Sequence, residues 1–141
     1  MYDLVDRPIS ILPEGNRFLL WAMRAWVVLK GRGDCPPTHL AAAFLKASAI
    51  DALPHVHIAM TLLNEGGREA LNFHCIHRNT ISDGEAVLLR LWGDMAAGND
   101  RAVIAVAELL VTQEWVTPLF SAMQAALPGL DAAGLVPVFR D

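Results

Sequence analysis

The run Asp100-Arg101-Ala102-Val103-Ile104-Ala105-Val106-Ala107-Glu108-Leu109-Leu110-Val111 decides the fold class. Wound at about 3.6 residues per turn it is apolar on nearly every side. Glu108 is the only charge after Arg101. A helix of that kind has to be enclosed by other helices or by a partner chain. Asn99 suits its N-cap, and Asp100 falls in the first turn, where the helix dipole favours an acid. The expectation is an all-α fold: a compact bundle of five to six helices around a buried central helix at about 99–111.

Moving outward from that run, Ser82-Asp83-Gly84-Glu85 is a capping box ahead of an apolar segment. Its helix should reach Ala96 or Ala97 and close at Gly98, with Arg90 and Asp94 paired one turn apart on a polar stripe. On the other side, Thr117-Pro118 marks a helix start or a kink, and Pro128-Gly129 a stop. Val116, Leu119, Phe120, Met123 and Leu127 stripe that helix.

Towards the N-terminus a helix is expected from about Asn16 to Lys30, ended by Gly31-Arg32-Gly33, with Arg17 and Arg24 sharing a narrow polar stripe. Asp34 or Cys35 should cap a second helix that opens on Pro36-Pro37. A third should start near Asp51, carry Pro54 in its first turn and stop at Gly66-Gly67, with His57 on its polar side. Residues 68–79 alternate like a strand at Leu71, Phe73 and Cys75, but no second strand is available to pair with them. A short helix running into a loop is the expectation there. Together the elements predict one domain over 1–141 with apolar arms at 1–15 and 128–141, the second holding Leu135, Val136, Val138 and Phe139.

Composition narrows the function classes. Hydrophobic residues make up 54% of the 141 and charged residues 18%, against roughly 25% charged in an average globular chain. So few charges on a small domain predict that apolar surface is covered by a second subunit, and a homodimer is expected. The longest apolar run, Phe18 to Leu29, is too short for a span of roughly twenty residues and contains Arg24, so membrane insertion is not expected. The net charge is −4 and no basic run exists. Nucleic-acid binding is therefore not expected either. The opening residues lack the basic start and apolar core of a signal peptide. Two cysteines, Cys35 and Cys75, fit a reducing compartment, and the expected location is cytoplasmic.

Chemistry-bearing residues concentrate between 55 and 85. His55 and His57, two apart, diverge on a helix. His74 and His77, three apart, would share a helical face, and with Cys75 and an acid such as Glu65, Asp83 or Glu85 they could complete a zinc-type ligand set. The spacing matches no specific metal motif, and the capping box already accounts for Asp83 and Glu85. Cys75 between two histidines could also act as a thiolate nucleophile. Neither Gly31-Arg32-Gly33 nor Gly66-Gly67 follows a strand, so neither is a phosphate loop. No cofactor, substrate or catalytic residue is specified. The expected function is a homodimeric interaction or structural module without catalytic activity. The alternative is a metal-assisted or small-molecule-binding enzyme using the His/Cys/acid cluster of 55–85.

Overall fold

Six α-helices follow one another in the computed structural model, which describes residues 4–138. The first, α1, is Glu14–Gly31; it begins after Pro13 and ends where Gly33 takes φ +80. Pro36 and Pro37 are the first residues of α2, Pro36–Lys46, at positions whose N–H groups have no helical partner in any case. A 3-10 turn, Ile50–Ala52, feeds α3, Leu53–Gly66, so Ala52 rather than Asp51 occupies the N-cap. Both halves of the Ser82–Glu85 capping box are formed at the start of α4, Asp83–Ala97, and Gly98 closes it in the left-handed conformation at φ 79. Then come α5, Asp100–Leu110, and α6, Gln113–Ala132.

The layout is an all-α bundle. Helix α6 packs on α3, the 50–52 turn, α5 and α4, while α1 packs on α2, α3 and α4. One continuous hydrophobic cluster joins all six helices, with Trp26, Phe44, Leu88, Trp92 and Leu119 among its buried members. The most enclosed element is α4, where nine of fifteen residues are buried.

The 100–111 helix exists, but it is not the buried centre. Only Val103 and Ala107 are buried within it, and Leu109 is 76% exposed. Val103, Ala107 and Val111, four apart, give one narrow inward stripe. Two of the remaining positions that made the helix look apolar all round, Ala102 and Ala105, are alanine, and a methyl group has little area to drive enclosure. The Asn99 side chain does not cap α5 either; its amide donates to Asp94 Oδ1 at 3.2 Å.

Both prolines expected at the ends of the last helix lie inside α6. Pro118 removes one backbone bond near the start, and the buried stripe Val116, Leu119, Met123, Ala126 and Leu130 carries the helix through. Gly129 is not a stop. A β-carbon there would come within 2.7 Å of the Ala52 backbone nitrogen, so its hydrogen lets α6 approach the 50–52 turn. Residues 68–79 form no helix. Isolated backbone bonds at Arg68, Arg78 and Asn79 and side-chain bonds to Asn72, His74 and Arg78 hold this segment, with no repeating ladder.

The described parts of the two arms, from Leu4 and up to Val138, close onto their own domain. Leu4 and Leu12 are buried, Asp6 N–H donates to Ile81 O, Ile81 N–H to Arg7 O, and Ile9 N–H to Asn79 O. At the other end Leu135 is buried. The Asn16 amide donates to Val138 O at 2.7 Å and accepts from Val138 N–H at 2.8 Å. Phe139 lies outside the described residues.

Candidate functional site

Arg24 stands among apolar neighbours on α1 and is 2% exposed; Glu85, in the first turn of α4, is 0% exposed. They meet as a bidentate pair, Nε to Oε2 at 2.7 Å and Nη2 to Oε1 at 2.9 Å. The rest of the guanidinium donates to Arg78 O at 2.7 Å and Thr80 O at 2.8 Å. Glu85 also accepts the N–H of Ser82 at 2.9 Å and of His74 at 3.0 Å. Burial pushes the Glu85 carboxyl up. The Arg24 hydrogen bonds and charge, with the Ser82 and His74 N–H groups, outweigh that and hold it below its ordinary value.

This ion pair is therefore an anchor for the loop between α3 and α4. Asn72 ties the same loop down: its carbonyl accepts from Ser82 Oγ at 2.7 Å, and its Oδ1 accepts from Gly84 N–H at 2.8 Å. Gly84 is required there, since a β-carbon would lie 2.7 Å from Asn72 O. At the loop's other end Arg68 N–H donates to Leu110 O, and Arg68 Nε donates to Val111 O at 2.9 Å.

The anchored loop walls a half-open cavity of about 300 Å³ between α1, α3 and α4. Its apolar surface comes from Trp26, Val27, Met60, Leu63, Phe73 and Leu88, and Asn64, Arg68 and Glu69 supply its polar groups. Trp26 is almost wholly buried, and its indole N–H is already committed to His57 Nδ1 at 2.9 Å. It offers the cavity a ring rather than a donor. The bond requires His57 Nδ1 to be unprotonated. Burial, and then the charge of Lys30, lower the His57 pKa below its ordinary value.

The histidines and cysteine singled out from sequence do not assemble. Among the described residues no three His, Cys, Asp or Glu side chains converge as a metal-binding group. His74, Cys75 and His77 lie in the irregular loop, so the helical face that would have aligned His74 with His77 is absent. Cys75 is exposed. His74 contributes its backbone N–H to Glu85, and its Nε2 is buried without a partner, as is Thr80 Oγ1. His57, expected on a polar face, is instead the acceptor for Trp26. Sequence reasoning missed Arg24 and Trp26. The one available signal was a single arginine inside the apolar run Phe18 to Leu29, which a helix of this burial can hold only with a partner. Comparison with protein-family models, with curated proteins and with solved structures finds no match.

Proposed function

We propose that this chain is a non-catalytic binding module whose site is the Trp26 cavity and whose ligand is a small molecule with an aromatic body and a polar edge. The observation that carries this is the cavity wall itself: apolar side chains around the Trp26 ring on one side and the polar groups of Asn64, Arg68 and Glu69 on the other, in nearly equal share. An apolar wall facing converging polar groups suits a small molecule, and the volume sits at the lower end of the range of such sites, roughly 300–1,000 Å³. The Arg24–Glu85 pair supports a holding role rather than acid–base work, because both carboxylate oxygens are engaged. Metal-assisted chemistry through His74, Cys75 and His77 has no support from their placement. Titration with indole and with naphthalene, read by tryptophan fluorescence and thermal melts, tests the proposal. Saturation should raise stability by about 2.7 kcal/mol at a hundredfold excess over Kd. Leu63→Trp should fill the cavity and abolish binding while the protein still melts cooperatively. No saturable binding, or binding indifferent to Leu63→Trp, rejects it.

A second reading is self-association of a cytoplasmic homodimer. It is favoured by the low share of charge and by large apolar side chains left in water: Leu109, Leu45 at 60% and Ile58 at 46% exposed. Sedimentation over a concentration series tests it.

A further inference from the structure

We propose that the outer face of α5 is the contact in that homodimer, with α5 packing antiparallel on α5 of a second copy across a two-fold axis. This rests on the self-association reading and names its surface. Asp100, Arg101, Ile104, Ala105 and Glu108 line a shallow depression on the protein surface. Arg101, Ile104, Ala105 and Glu108 fall three, four and seven residues apart, so they form one stripe along the helix. The neighbouring stripe, Val103, Ala107 and Val111, about a third of a turn away, is the one spent on the chain's own core, and Ile104, at the border of the two, is half-buried against that core.

The order of the outer stripe is self-complementary. With the two-fold axis between Ile104 and Ala105, Arg101 of one copy faces Glu108 of the other, and Glu108 faces Arg101. Ile104 then meets the small Ala105, which allows the helices to approach closely. Leu109, the most exposed large apolar side chain described, flanks the stripe and gains cover. A parallel pairing would set arginine on arginine and glutamate on glutamate, so the charges choose the antiparallel direction. Among the described residues the chain's own ion pairs are Arg24–Glu85 and Arg90–Asp94; Arg101 and Glu108 belong to neither. An isologous contact of this kind closes at two subunits. A single helix pair is small beside a standard interface, so association should be weak and concentration-dependent.

The experiment is sedimentation velocity on the full chain from about 5 to 500 μM, with R101E, E108R and the double reversal R101E/E108R. Both positions are exposed, and circular dichroism melts verify that each variant folds. Wild type should dimerise. Each single reversal should weaken the dimer about tenfold or more by placing like charges together, and the double reversal should restore it. Added salt should weaken the wild-type dimer and relieve the single variants. A dimer indifferent to both single reversals overturns this surface while self-association stands. A monomer across the whole range overturns both.

Discussion

Glu85 is at once the N3 member of a capping box and the buried partner of Arg24, and the two roles differ in energy. Losing a cap costs about 1 kcal/mol. Removing one member of a buried ion pair costs roughly 3–5 kcal/mol, because the other charge is stranded. Glu85→Ala and Arg24→Met should therefore each destabilise far more than Ser82→Ala in urea melts. The double variant should recover only part of the loss, since the Ser82 and His74 N–H groups stay without their acceptor. Acid should act in the same direction. The folded Glu85 pKa lies below its ordinary 4.5, so its contribution is present above that value and is lost as pH falls through the folded pKa. Arg24→Met should flatten this segment of a stability–pH curve. His57 acts in a separate window. Its folded pKa lies below 6.5, so the unfolded chain binds its proton first, and stability present above 6.5 declines as pH falls through the folded value. The Trp26 indole N–H resonance should report the broken bond, and His57→Phe should remove that step from the curve.

At the scale of elements, α5 and α4 exchange the roles that their composition suggested. Leu109→Ala should change stability by no more than about 0.5 kcal/mol, as for other exposed positions. Leu91→Ala in α4, where the side chain is fully buried, should cost roughly 2–5 kcal/mol. Chemical denaturation of the two variants separates a peripheral α5 from a central one. In α6, Gly129→Ala is a sharper test, because helix propensity and packing disagree. Propensity favours alanine by about 1 kcal/mol. The clash with the Ala52 backbone opposes it by roughly 1–3 kcal/mol. A net loss in Tm is expected, and a gain would mean that α6 and the 50–52 turn are further apart than described.

For the whole molecule, the segments 4–12 and 135–138 act as closures of the bundle. Asn16 at the start of α1 grips Val138 through two hydrogen bonds, and the absent β-carbon of Gly15 admits the Leu135 and Val136 carbonyls beside it. Asn16→Ala should cost about 1–3 kcal/mol. Hydrogen exchange should show the loss first in the 135–138 segment. That is a sizeable share of the roughly 5–15 kcal/mol available to a domain. No helix among the described residues is long and apolar enough to cross a membrane.

The helices and most of their ends were legible in the sequence because their causes are local. Pro36-Pro37, the Ser82–Glu85 box and Gly98 act through backbone geometry within one turn, whatever surrounds them. What lay beyond the sequence was decided by partners far along the chain. Arg24 looked like a surface charge until Glu85, 61 residues away, met it. Pro118 and Pro128 looked like boundaries until the contacts of α6 with α3 and the 50–52 turn held them inside one helix. His74, Cys75 and His77 looked like ligands on a helix that the side-chain-anchored loop does not form. The apolar run at 100–111 fixed a helix but not its burial, because burial depends on which neighbours fill the space around it. That is a property of tertiary packing alone.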